Sequence, residues 1–165
     1  MNILYFAYGS NMCTGRLTQR VPSAEPLFVA KLNQHRLTFH KRSNDGSGKG
    51  DAEFTGDDND CVWGVVFEMP EAEKPKLDQA EGLGYGYREK TVSVVTAAGK
   101  TYTPIMYYAD NKDVGLRPYS WYLRFVLDGA KQHGLSADYL SAIEATVTDE
   151  DPDRDRDRRE RAVQC

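Results

Sequence analysis

Residues Ile3 to Ala7 form an unbroken apolar run that ends, one residue past Tyr8, at the turn-forming triplet Gly9-Ser10-Asn11. Five residues are too few for an ordinary helix, and the aromatic content suits a strand buried in a core. The chain must therefore leave that core through a sharp turn of small polar residues. A second run of the same kind spans Cys61 to Met69, where Val62, Trp63, Val65, Val66 and Phe67 are β-branched or aromatic. Leu27 to Leu32 and Arg36 to His40 read as further strands, and Arg88 to Thr96 with Thr101 to Tyr108 as a hairpin around Ala97-Ala98-Gly99-Lys100. Between residues 41 and 60, the clusters Ser43 to Gly50 and Gly56 to Asp60 specify turns, with Asp51 to Thr55 as a short strand between them.

Helical patterning is concentrated later. Met12 to Arg20 has room for one or two turns, with Asn11 placed to cap them. Pro70-Glu71 opens a helix that runs to about Ala80; Pro75 is awkward in its interior and marks the true first turn, and Gly82 ends it. Pro118 to His133 carries Tyr119, Tyr122, Leu123, Val126, Leu127 and Ala130 at spacings of three and four and stops at Gly134. Ser136 caps a shorter helix with Tyr139, Leu140 and Ile143. Strands fill the first two thirds and helices the last, so the class is α+β. From Asp149 to Arg161 every residue but Pro152 is charged, with no apolar face to bury. That pattern predicts a solvated, frayed tail at 149–165 beyond a domain of 1–148, dispensable for activity; a charged helical extension is the alternative.

Composition narrows the function classes. A chain of 165 residues supports one apolar core. Its net charge of -4 and pI near 5.4, without a basic stripe, argue against nucleic acid as partner. Cys13, Cys61 and Cys165 are odd in number and widely spaced, which argues against a disulfide framework or a structural zinc site and favours a reducing compartment. With no basic leader and no apolar stretch long enough to span a membrane, a cytoplasmic location is expected. Oligomeric state is left open.

Two segments could carry chemistry. In Tyr8-Gly9-Ser10-Asn11 the glycine permits close backbone approach, and successive amides can converge on an anion or a carbonyl oxygen; an ordinary strand-to-helix turn is the competing account. In Leu77-Asp78-Gln79-Ala80-Glu81-Gly82, Glu81 lies at a helix C-terminus, where the dipole disfavours its charge. Beside Gly84-Tyr85-Gly86-Tyr87 such a carboxyl could have a raised pKa suited to proton transfer, or be a solvated glutamate before a capping glycine. The glycines and lysines of residues 43–50 do not make a phosphate loop, because no Gly-Lys-Ser/Thr ending follows an apolar strand. His35, His40 and His133 form no motif with Cys13 or Cys61.

Taken together, Tyr5-Phe6-Ala7-Tyr8-Gly9-Ser10-Asn11-Met12 and Leu77-Asp78-x-x-Glu81-Gly82 resemble the gamma-glutamyl cyclotransferase family. Val62-Trp63-Gly64-Val65-Val66-Phe67 resembles the family strand that leads to the catalytic helix. Tyr122 to Lys131, followed by His133-Gly134-Leu135, resembles the C-terminal helix of the animal-type enzymes. The likeness covers roughly residues 2 to 146. It implies a small mixed β-barrel with peripheral helices and a pocket at its mouth. It further implies backbone donors from Tyr8, Gly9, Ser10 and Asn11 for a gamma-glutamyl head, and Glu81 as the catalytic acid/base. A pocket tyrosine of the family matches Tyr87, with Tyr85 as the ungapped neighbour, and a rim tyrosine matches Tyr122, which core packing alone could also explain. The implied reaction releases 5-oxoproline from a small-molecule gamma-glutamyl amide without metal or cofactor; a binding module of the same fold is the alternative. The leaving-group side is expected from residues 41–60 and the Gly82 to Tyr87 loop, and the substrate within the class stays open.

Overall fold

From its first residue the chain, a computed structural model describing residues 1–165, runs through β1 (Asn2–Ala7), α1 (Thr14–Arg20), β2 (Glu25–Asn33), β3 (His35–Arg42), β4 (Gly48–Phe54) and β5 (Cys61–Pro70). It continues through α2 (Lys74–Glu81), β6 (Tyr87–Thr91), β7 (Val94–Val95), β8 (Thr101–Tyr102), β9 (Ile105–Ala109), α3 (Ser120–Gln132), α4 (Ala137–Glu144) and α5 (Arg154–Arg161). Seven strands make one sheet in the order β6-β9-β1-β5-β2-β7-β8, curled as a half-barrel; the hairpin β3–β4 packs against β5 and β9. β1 lies at the centre, antiparallel to β5 from Asn2↔Pro70 to Ala7↔Val65 and parallel to β9 at Tyr5↔Ile105. The α+β class and the mixed, curled sheet with peripheral helices agree with the sequence reading.

The alternation of side chains along β1 explains why its run is apolar throughout. Tyr5 and Ala7 face the helical core with Phe67, Phe125 and Val126, while Phe6 and Tyr8 face the sheet interior with Leu32, Val66 and Met106. A strand buried on both faces has no polar phase. Ser136 caps α4 by accepting from the Tyr139 amide, and Pro75 sits in the first turn of α2, as the sequence indicates. The anticipated hairpin of residues 88–108 is instead split. β6 pairs with β9 as far as Thr91↔Ile105, and the chain then diverts so that Val95 pairs with Lys31 of β2. Pro104, which has no N–H to donate, sits at the break.

Three further expectations are corrected. Asn11 does not cap α1; the residue in cap position is Cys13, and the Asn11 side chain is engaged elsewhere. The segment after 149 is not frayed: it carries α5, the charged extension, docked onto α1 and α3. Asp151 is 1% exposed, accepts from Trp121 Nε1 at 2.8 Å and pairs with Arg156. Glu160 meets Arg16 at 2.9 Å, and Arg124 donates to the Glu160 and Val163 carbonyls. Gly15 permits the final approach, since a Cβ there would lie 1.9 Å from the Gln164 carbonyl oxygen. The expectation against disulfides fails for one pair: Cys13 and Cys165 are bonded, with Cα atoms 4.8 Å apart across 152 residues of sequence, while Cys61 is free. Parity and spacing cannot register such a pair, because the docking of α5 brings it together. The cysteines therefore no longer favour a reducing compartment. No helix is long and apolar enough to cross a membrane.

Removing residues 149–165 strips Arg16 of its carboxylate and Trp121 of its acceptor. The deletion also takes away Cys165 and with it the bond to Cys13; losing such a cross-link typically costs about 2–5 kcal/mol, so the truncated chain should melt well below the full one in a thermal scan. Equal melting temperatures would show that the docked tail adds nothing to stability.

Candidate active site

The turn after β1 and the end of α2 converge on one cavity, lined by Tyr5, Tyr8, Gly9, Ser10, Asn11, Gly50, Glu81, Tyr87, Tyr107 and Tyr122. Each wall has a local cause. Burial of β1 on both faces delivers the Tyr8–Gly9 step to the sheet rim, where residues Ser10–Met12 form one 3-10 turn. Within that turn the Gly9 and Ser10 carbonyls accept from Met12 and Cys13, whereas the N–H groups of Gly9, Ser10 and Asn11 find no acceptor in the protein. Three free donors on a buried turn are a ready anion or oxyanion site.

α2 is pinned by two residues before it presents Glu81. Leu77 is fully buried; Asp78 accepts from the Tyr107 hydroxyl and is paired with Lys74 at 2.9 Å. Glu81 lies three residues beyond Asp78, on the same helix face, and Gly82 then turns the chain with φ of +69°. The Glu81 carboxylate accepts from Asn11 Nδ2, closing the distance between segments seventy positions apart. Asn11 Nδ2 also reaches Tyr5 Oη at 3.2 Å, and its Oδ1 accepts from Arg20 Nη1 at 3.0 Å. Because arginine only donates, Oδ1 must face Arg20 and the amide nitrogen must face Glu81.

The rest of the wall is phenolic. Tyr8 donates to the Tyr107 carbonyl at 2.6 Å and Tyr87 to the Gly50 carbonyl at 2.5 Å; Tyr122 Oη accepts from the Gly50 amide at 2.9 Å. A Cβ at Gly50 would come within 3.1 Å of that hydroxyl, and one at Gly9 within 3.3 Å, so two glycines make room for Tyr122. Burial pushes the hydroxyls of Tyr5, Tyr8, Tyr87, Tyr107 and Tyr122 upward, leaving them as neutral donors. Burial likewise raises the Glu81 carboxyl above its ordinary value, and the fields of Arg20, Arg16 and Lys41 partly oppose it.

All seven residues singled out from the sequence, Tyr8, Gly9, Ser10, Asn11, Glu81, Tyr87 and Tyr122, line this cavity. Tyr87 is 7% exposed while Tyr85 is 85% exposed and points away from it. Sequence reasoning missed Tyr5, Gly50, Tyr107 and Arg20. Tyr5 stands inside the recognised motif, and Arg20 lies nine residues after Asn11, on the same short helix that follows the turn. Gly50 and Tyr107 carry no local signal, since pairing across the sheet puts them there.

Comparison with known proteins agrees with this arrangement. A model of the AIG2-like family matches residues 61–143. The chain is 36% identical over 149 residues to the Homo sapiens protein named gamma-glutamylcyclotransferase, covering 87% of this chain and 78% of that protein. It is 37% identical over 151 residues to the Bos taurus protein of the same name, covering 87% and 79%. A solved structure described as gamma-glutamyl cyclotransferase superposes with a TM-score of 0.84 at 32% identity, covering 90% of each chain.

The raised Glu81 pKa has a measurable sign. The folded state binds this proton more tightly than the unfolded chain, so stability falls as pH rises from the ordinary glutamate value through the raised one. Glu81→Gln removes that loss. The variant should melt above the parent at neutral pH, with the difference vanishing in acid where Glu81 is protonated; a pH-independent difference would contradict a buried, raised carboxyl.

Proposed function

The chain belongs to the gamma-glutamylcyclotransferase family, and on that premise we propose that Glu81 is the single acid/base of an intramolecular ring closure releasing 5-oxoproline. The observation that carries this assignment is the Asn11–Glu81 contact, which joins the donor turn and the carboxyl inside one tyrosine-lined cavity. The substrate is a small gamma-glutamyl amide. Its own α-amine attacks its side-chain carbonyl carbon, and the amide C–N bond then breaks. The nucleophile is tethered to the electrophile, so the protein's first task is to fix a folded conformer.

The remaining tasks are proton transfer and charge stabilisation. Glu81 starts ionised, takes a proton from the substrate ammonium and returns it to the departing nitrogen. One carboxyl suffices because the two transfers are sequential. Its raised pKa brings it closer to neutrality, where both directions are feasible. Asn11 holds Oε1 and leaves Oε2 for the substrate, and Arg20 locks the Asn11 amide in the required orientation. The free amides of Gly9, Ser10 and Asn11 receive the oxyanion or the head carboxylate; loss of such a donor typically costs about 3 kcal/mol. Tyr8, Tyr87 and Tyr122 confine the head group. Compartment belongs to the same proposal. In a reducing cytoplasm, alkylation at lysis labels all three cysteines; a bonded pair leaves only Cys61 to label.

In a 5-oxoproline release assay on gamma-glutamyl dipeptides, Glu81→Gln should lower kcat/KM by about two to four orders of magnitude. Equal product from both proteins would reject Glu81. The acid limb of the kcat/KM profile should lie above the ordinary glutamate range. Arg20→Met removes the largest of the opposing positive fields and should move that limb to still higher pH, and Asn11→Ala, which removes a donor to the ionised form, should move it in the same direction. A limb unmoved in both variants would detach Asn11 and Arg20 from the carboxyl.

A further inference from the structure

The residue that follows the donor turn is covalently tied to a distant segment. Cys13 comes directly after the 3-10 turn of Ser10–Met12, donates its amide to the Ser10 carbonyl at 3.2 Å and is fully buried. Its sulfur is bonded to Cys165, 152 residues away in sequence. The Cys165 carbonyl accepts from Gln132 Nε2 at 2.7 Å and from the Gly15 amide at 3.3 Å, which seats residue 165 on the first turn of α1.

The two ends of α5 are held differently. Its start is anchored where Arg156 pairs with the buried Asp151. Its end has no buried residue, and Arg161–Asp157 is a pair internal to the helix. What reaches the rest of the chain from there is polar: Glu160 to Arg16, the Glu160 and Val163 carbonyls to Arg124, and Arg161 to Ser120 Oγ at 2.6 Å. Val163 and Cys165 supply the apolar contact with the core. Polar links of this kind are worth little net, so the segment undocks at low cost unless a covalent tie keeps its groups at high local concentration. Glu160 lies in that segment, and its partner Arg16 donates to Ser10 Oγ at 3.2 Å. One bond therefore secures the donor turn twice, at the backbone after Met12 and at the Ser10 side chain through Glu160 and Arg16. Cys13 is sealed from solvent, but Cys165 is only half-buried, so a thiolate from solution can attack at the Cys165 sulfur.

Resting on the cyclotransferase reading for its catalytic consequence, we propose that Cys13–Cys165 is a reversible thiol–disulfide site that sets how firmly the donor turn is held for substrate. A dithiol reductant cleaves the sulfur–sulfur bond: two electrons and two protons pass to the protein, giving two thiols, and the dithiol leaves as a cyclic disulfide. The end of α5 then undocks and Glu160 leaves Arg16. The Gly9, Ser10 and Asn11 amides lose their single fixed arrangement. Exchange with an oxidised dithiol runs the same step backwards and re-forms the clamp. The bonded enzyme is therefore the form that binds a gamma-glutamyl head more tightly.

The test follows 5-oxoproline release from gamma-glutamyl-alanine by the bonded protein, the protein reduced with dithiothreitol, Cys165→Ser and Cys61→Ser. Hydrogen exchange is measured in the same samples over residues 9–17 and 154–165. Assays run well below the melting temperature of the reduced protein, so that global unfolding does not enter. Reduction should raise KM about tenfold with little change in kcat, as for a site whose competent arrangement is populated about a tenth of the time. Exchange should rise together in both segments. Cys165→Ser should match the reduced protein and ignore the reductant, while Cys61→Ser should respond as the parent does. Equal KM in bonded and reduced protein, or faster exchange in residues 154–165 alone, overturns the proposal, as does a response that persists in Cys165→Ser. Joint loosening of both segments with no 5-oxoproline from any form supports the thiol–disulfide site and rejects the cyclotransferase reading alone.

Discussion

Strand β1 has no free face, and the position of everything catalytic follows from that. Tyr5 and Ala7 are committed to the helical core, Phe6 and Tyr8 to the sheet interior, and each large side chain contributes about 1.5–3 kcal/mol of burial. A slip of one residue against β5 would exchange the two sets, placing Tyr5 where Phe6 packs and misplacing every partner. The register is therefore rigid, and the point where the chain leaves the sheet is rigid with it. The Gly9–Asn11 amides inherit their position from this constraint.

The site itself is assembled from locally unfavourable choices. A carboxylate sits at a helix C-terminus, two lysines face each other across a hairpin, and one of them is buried without a counter-ion. Each goes against the local preference for stability, and all cluster around one cavity, where proteins accept such conflicts for function. The surrounding structure absorbs them: Leu77 and Asp78 anchor α2, the glycines at 9, 50 and 86 clear space, and the Arg20–Asn11 pair sets the direction of the carboxyl.

The charged terminal segment belongs to this support. Its helix has no apolar face, yet its Glu160 finds a buried cation on an earlier part of the chain. Glu160 holds Arg16, and Arg16 Nε donates to Ser10 Oγ at 3.2 Å, so the substrate turn is braced from outside by residues 150 positions later. Alternating charge without an apolar stripe looks like a solvated tail because sequence patterning registers hydrophobic burial, not ion pairs with distant partners.

What the sequence determined by itself was whatever depends on neighbours along the chain: β1 and β5 from their apolar runs, the start of α2 at Pro75 and its stop at Gly82, the Ser136 cap, and the two motifs that share the cavity. Pattern, capping and turn chemistry act within a few residues and can be read there. Tertiary structure alone decided that Tyr87 and not Tyr85 lines the pocket, that Gly50 and Tyr107 join it, that Cys13 meets Cys165, and that Lys41 stands unpaired beside Glu81. Each of these depends on which distant segments share a wall. Sheet curvature, a bulge and helix docking set those contacts, and they leave no periodicity in the chain.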